Sequence, residues 1–166
     1  EDALPQVVEE DGEDTAVVSS RQSNGAEKPR IDELVKEGQE LVVQVTKDPI
    51  SGKGPRVTAG LSLAGRTLVY LPTVREVGVS RRITDDAERE RLRQLLEELP
   101  GGGLIARTAA HGAGAAELAA DHRYLADLAA RISRQAEQAT APALLYRELD
   151  LALRVARDLA TTDFAA

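Results

Sequence analysis

Arg107 and Thr108 stand side by side after a short apolar run, Gly103-Leu104-Ile105-Ala106. A guanidinium can place two parallel hydrogen bonds on phosphate oxygens, and a hydroxyl beside it can add a third. Adjacent residues of a strand point to opposite faces, so both groups reach one ligand only where the strand ends. The loop from Ala109 to Gly114 offers that ending. The plainer reading is an exposed arginine and a strand-forming threonine with no ligand. Upstream, Gly65 lacks the side chain that would keep backbone N–H groups away from an anion, although a turn glycine reads the same way.

Charge distribution supports phosphate as the partner. The chain of 166 residues carries a formal charge of −7, but residues 1–30 hold eight carboxylates against Arg21, Lys28 and Arg30, a local −5. Within residues 51–82, Lys53, Arg56, Arg66, Arg75, Arg81 and Arg82 oppose only Glu76, a local +5. Such a patch attracts a polyanion inside an otherwise acidic chain. Lys53, Arg56, Arg81 and Arg82 are therefore candidates for contacts to a phosphate backbone, which give salt-dependent affinity without base specificity. Their plainer role is solvated charge on a turn and a loop.

Other chemistries are excluded by spacing. Ser51-Gly52-Lys53-Gly54 lacks the first glycine of a P-loop and has Gly54 in place of the magnesium-binding hydroxyl, so ATP binding is rejected. Gly60-Leu61-Ser62-Leu63-Ala64 lacks the final glycine of a nucleophile elbow and lies in a strand pattern, which makes Ser62 structural. His111 and His122 stand apart with no cysteine in the chain, so no zinc site is expected. His111 could assist a phosphate when protonated, and His122 belongs to a helix. No run of about 18 apolar residues predicts a membrane span, and the acidic start is no secretory signal. A soluble, cytoplasmic protein is expected, and a chain that starts at Glu1 and has no methionine reads as processed or as a fragment.

The elements that must carry these groups follow from periodicity. Residues 1–30 read as a disordered acidic segment, and Asp32 to Lys36 as a short helical turn. Leu41 to Thr46 and Arg56 to Leu63 predict a β-hairpin around the turn cluster at Asp48 to Pro55. Arg66 to Leu71 predicts a strand ended by Pro72. Asp85 is placed to cap a helix, with Glu88 as its capping-box partner and Leu92, Leu95, Leu96 and Leu99 along one face. Leu104 to Thr108 predicts a strand, and Ala115 to Gln138 a long helix with Leu118, Leu125, Leu128 and Ile132 on one stripe. Ala143 to Tyr146 predicts a last strand and Leu149 to Ala160 a last helix. Strands and helices mix without a βαβ repeat, so the fold class is α+β.

Three segments in order, Gly54-Pro55-Arg56-Val57-Thr58-Ala59-Gly60-Leu61-Ser62-Leu63-Ala64-Gly65-Arg66, then Gly78-Val79-Ser80-Arg81-Arg82-Ile83, then Arg107-Thr108, resemble the ribonuclease E/G family. The resemblance runs from about Ile31 to Asp163. It implies that residues 31–59 are the end of an OB-type RNA-binding barrel, that 60–155 form a 5′-sensor domain, and that 156–166 begin a truncated following region. It further implies that Arg107 and Thr108 bind the 5′ monophosphate of single-stranded RNA, with Gly65 and Val69 framing the pocket. A strand valine packed in a core is the plainer role for Val69. Lys53 matches a lysine on the family's barrel. In the family, RNA is cut with magnesium held by two aspartates in a nuclease domain that has no counterpart here, and the cysteines of its zinc link are absent. The resemblance therefore implies the sensing part of a magnesium-dependent endoribonuclease of RNA processing and decay, homo-oligomeric when complete and inactive in cleavage as this chain alone. A non-catalytic RNA-binding or scaffold module is the alternative from another class.

Overall fold

The computed structural model describes Arg30 and residues 34–159. The expectations for residues 1–30 and for a helical turn at Asp32 to Lys36 fall wholly or largely outside the described residues. The chain divides into two units, residues 1–60 and 61–166.

In the first unit, β1 (Gln44–Lys47) and β2 (Arg56–Thr58) pair antiparallel, with Val45 opposite Val57 and a register shift between Val45 and Lys47. The hairpin is thus present but shorter than its β-branched run. The expected extension of β2 to Leu63 does not occur, because the extended pattern breaks at Ala59-Gly60, where the units divide.

The second unit is built on a four-stranded sheet of β3 (Leu63–Ala64), β4 (Leu68–Leu71), β5 (Val77–Val79) and β6 (Gly103–Ala106), in the order β3-β4-β6-β5. β3 and β4 are antiparallel, β4 pairs antiparallel with β6, and β5 lies parallel to β6. Parallel neighbours need a crossover, and α1 (Asp86–Glu97) supplies it. Asp85 caps α1, accepting from the N–H groups of Ala87 at 2.9 Å and Glu88 at 3.3 Å. Glu88 does not close the expected capping box, because its carboxylate is drawn to Arg91 and to Gly112 N–H at 2.8 Å. Beyond α1 the chain squeezes back into the sheet at Gly103, where a Cβ would stand 2.7 Å from the Glu76 carbonyl oxygen, so only glycine passes.

The long helix α2 spans Ala115–Gln138, as its periodicity predicts. Leu118, Leu125, Leu128 and Ile132 pack with Leu92 and Leu96 of α1 and with Leu68, Tyr70, Leu104 and Ala106 of the sheet. By strand alternation, Val69 and Ile105, which face each other across β4 and β6, lie on the opposite face of the sheet. Residues 143–146 form no strand. Leu145 and Tyr146 reach the core through their side chains, so their apolar character is satisfied without a ladder. The last helix, α3, runs from Leu151 to Leu159. Among the described residues no helix is long and apolar enough to cross a membrane.

Candidate functional site

The site forms where β5 and β6 end. β6 stops at Ala106, and a 3-10 turn starts at Thr108, so the change of direction that the Arg107-Thr108 pair requires is present. Arg107 stays extended (φ −75°, ψ 169°), and its N–H donates to Thr67 O at 2.8 Å. Its side chain is buried, at 8% exposure. Nη1 donates to the carbonyl oxygen of Gly65 and, at 3.2 Å, to that of Arg66. Two carbonyls on one terminal nitrogen set the plane of the guanidinium fork.

Thr108 is exposed, and its Oγ1 lies 3.2 Å from Ser80 Oγ. Ser80 is itself buried and follows β5, its N–H donating to Ala106 O at 2.8 Å. Ser80 Oγ also accepts from Arg82 N–H at 3.3 Å, while Arg89 Nη1 caps the carbonyls of Ser80 at 2.8 Å and Ile83 at 3.1 Å. Arg81 and Arg82 are exposed on the turn that follows. One end of the sheet thus gathers a buried guanidinium, two hydroxyls in contact and an exposed basic turn.

Gly65 occupies the turn between β3 and β4, where its N–H donates to Leu68 O at 2.8 Å. An anion does approach this backbone, and it is the protein's own: the Asp121 carboxylate accepts from the N–H groups of Arg66 at 3.4 Å, Thr67 at 2.8 Å and Leu68 at 2.9 Å. It also accepts from Thr67 Oγ1 at 2.9 Å. The turn therefore offers Arg107 its carbonyls, with the amides behind it already bonded. Beside it, Arg66 Nη2 pairs with Glu117 of α2.

Val69 of β4 is buried at 4% exposure and pairs with Ile105, which stands two residues before Arg107 in the chain. Lys53 and Arg56 belong to the first unit and are exposed. Lys53 closes a tight turn onto Ile50 O at 2.7 Å, and the Arg56 carbonyl accepts from Thr46 Oγ1 at 3.2 Å. In the second unit, the loop behind the site is clasped from α1. Glu88 accepts from Arg91 Nε at 2.6 Å and from Gly112 N–H, and Arg91 Nη2 reaches Ala113 O at 3.0 Å. The Arg91 hydrogen bond is the main cause that holds the Glu88 carboxyl down at about 2. His111 is exposed on that loop, whereas His122 is buried in α2, edge-on to Tyr70 with ring centroids 5.6 Å apart.

Asp121, Ser80 and Arg89 escaped the residue-type reading. Asp121 had a signal: with Leu118, His122 and Leu125 it falls on the i, i+3, i+4, i+7 stripe that α2 turns to the core, where an acid requires a partner. Ser80 and Arg89 had none, because their partners are set by the crossover. Among the described residues no three His, Asp or Glu side chains gather as a metal cluster.

Residues 62–166 match the model of the ribonuclease E/G family. The chain is 45% identical over 135 residues to ribonuclease G of Escherichia coli (strain K12), covering 80% of this chain and 28% of that protein. It is 40% identical over 135 residues to ribonuclease G of Haemophilus influenzae, with the same coverage of both proteins. It is 41% identical over 135 residues to ribonuclease E of Nostoc sp., covering 80% of this chain and 20% of that protein. The chain thus spans 28% of the length of the ribonuclease G relatives. A chain whose mixed α+β unit is matched by that family model through the Arg107-Thr108 stretch, and which is 45% identical to a ribonuclease G, belongs to the ribonuclease E/G family.

Proposed function

We propose that this chain binds single-stranded RNA and senses its 5′ monophosphate within a ribonuclease E/G-type endoribonuclease of RNA processing and decay. The observation that carries the reading is the junction at the end of β6, where the oriented Arg107 fork is followed by the exposed Thr108 hydroxyl held against Ser80. A charge-assisted hydrogen bond gains strength in a partly desolvated setting, and Arg107 sits in one. A terminal phosphate offers oxygens to both groups, whereas a 5′-hydroxyl end brings neither the charge nor the extra acceptors. Gly65 shapes the wall by holding the fork, and Val69 supports the strand beside it. Arg81 and Arg82 on the turn, and Lys53 and Arg56 in the first unit, serve the RNA backbone.

On this reading, cleavage belongs to the complete protein. Magnesium, when bound there by a nuclease domain, would supply Lewis-acid and water-activating chemistry, and no residue described here is assigned to it. The complete protein is proposed to be cytoplasmic and homo-oligomeric, by the family it belongs to.

Arg107→Gln in the complete protein tests the reading. Loss of a hydrogen bond to a charged group costs about 1.5–3 kcal/mol, so cleavage of 5′-monophosphorylated RNA is expected to slow about tenfold to a hundredfold. Cleavage of the 5′-hydroxyl form is expected to stay near the wild-type rate. Equal losses on both RNAs would contradict the sensing role.

A further inference from the structure

The turn from Gly65 to Leu68 contains three consecutive peptide groups, each bonded on both sides. In the Gly65-Arg66 peptide, the carbonyl accepts from Arg107 Nη1 while the N–H donates to Asp121 Oδ1 at 3.4 Å. In the Arg66-Thr67 peptide, the carbonyl accepts from the same Nη1 at 3.2 Å and the N–H donates to Asp121 Oδ2 at 2.8 Å. In the Thr67-Leu68 peptide, the carbonyl accepts from the Arg107 backbone N–H at 2.8 Å and the N–H donates to Asp121 Oδ2 at 2.9 Å. C=O and N–H of a trans peptide point in opposite directions in one plane. The turn is therefore a sheet of aligned dipoles with a carboxylate on its N–H side and an arginine on its C=O side.

From this arrangement we infer that Asp121 is the positioning residue of the phosphate site, acting on Arg107 through the peptide groups of the Gly65–Leu68 turn. The inference rests on the proposed sensing role and adds to it the group that sets the fork. Asp121 extends from the second turn of α2, which the Leu118, Leu125 and Leu128 contacts hold to the core, so its anchor point is rigid. Its carboxylate fixes the orientation of each peptide plane. The planes then fix two of the carbonyls that hold Nη1. Hydrogen bonds in series polarise one another, so a negative charge behind the turn makes the carbonyls in front better acceptors for the guanidinium. Gly65 fits the same device, because a Cβ there would lie 2.4 Å from Asp121 Oδ1.

Asp121→Asn keeps the shape and removes the charge, while its amide nitrogen turns a donor toward N–H donors. With a 5′-monophosphorylated decaribonucleotide and its 5′-hydroxyl twin as probes, binding to the 166-residue chain is expected to show about a tenfold loss of affinity for the monophosphorylated probe alone. The Arg107 guanidinium N–H resonances are expected to broaden, a change that general loss of stability in a still-folded protein does not produce. The decisive measurement is a double-mutant cycle with Arg107→Gln. If Asp121 acts through Arg107, Asp121→Asn costs nothing further in the Arg107→Gln background.

Additive losses, or an undisturbed preference for the monophosphate in folded Asp121→Asn protein, would overturn the positioning role while leaving the sensing role intact. Failure of the sensing role itself has a different signature, namely that Arg107→Gln alone leaves the preference unchanged. Should Asp121→Asn not fold, Thr67→Val removes only the 2.9 Å hydroxyl contact to Oδ2. That variant is expected to lower the preference about threefold, and an unaltered preference in it would overturn the inference as well.

Discussion

Gly65 shows how one position can be constrained from two directions. Its backbone lies so close to Asp121 that an alanine Cβ would meet Oδ1 at 2.4 Å, and its carbonyl is taken by Arg107. Gly65→Ala forces the carboxylate off the amides or the turn off the helix. Overpacking of this kind costs about 1–3 kcal/mol, which chemical denaturation of the variant is expected to show together with a loss of monophosphate preference. The same residue marks the limit of reading by type. A glycine near Arg107-Thr108 is legible as a candidate pocket wall, but the anion it makes room for lies 55 residues along the chain from Arg66. Only the packing of α2 on β4 brings Asp121 there.

At the scale of elements, the geometry of the site depends on how α1 holds the loop that follows the 3-10 turn. Glu88 and Arg91 together bind Gly112 N–H and Ala113 O, and Glu88 is the better shielded of the two. Because its carboxyl titrates at about 2 in the folded protein, below its ordinary value of 4.5, the folded state is favoured by the ionised form. The clasp therefore contributes fully above about pH 4.5 and is lost as the pH falls from there toward 2. Glu88→Gln is expected to flatten the stability profile across that window and to lower the melting midpoint at pH 7 by about 4 °C. Calorimetry at several pH values measures both. The helix itself was legible, since Asp85 caps it as expected. Glu88 leaves the capping box because its stronger partners, Arg91 and Gly112, belong to other turns.

For the whole molecule, burial is uneven. The described core, from Leu63 to Ile132, lies entirely in the second unit. The hairpin of the first unit leaves Val45 at 55% and Val57 at 50% exposure. An isolated two-stranded hairpin is marginally stable in water. Residues 61–166 expressed alone are therefore expected to unfold in one cooperative transition by circular dichroism. A melt of 61–166 without a cooperative transition would mean that the core of the second unit does not suffice.

The division between what was readable and what was not has a common cause. Periodicity, caps and breakers act over a few residues, so the bounds of α2, the cap of α1, the presence of the hairpin and the end of β4 before Pro72 were legible in the sequence alone, whereas β2 stops at Thr58 and β4 starts at Leu68 rather than Arg66. The Arg107-Thr108 pair was legible as a candidate, because its two groups are chemically plain and adjacent. The tertiary structure alone decided that β6 lies parallel to β5, that Ser80 meets Thr108, and that residues 143–146 need no ladder. It also decided that three peptides stand between Asp121 and Arg107. Each of these joins distant segments, and their geometry depends on how the core packs, which no local pattern encodes.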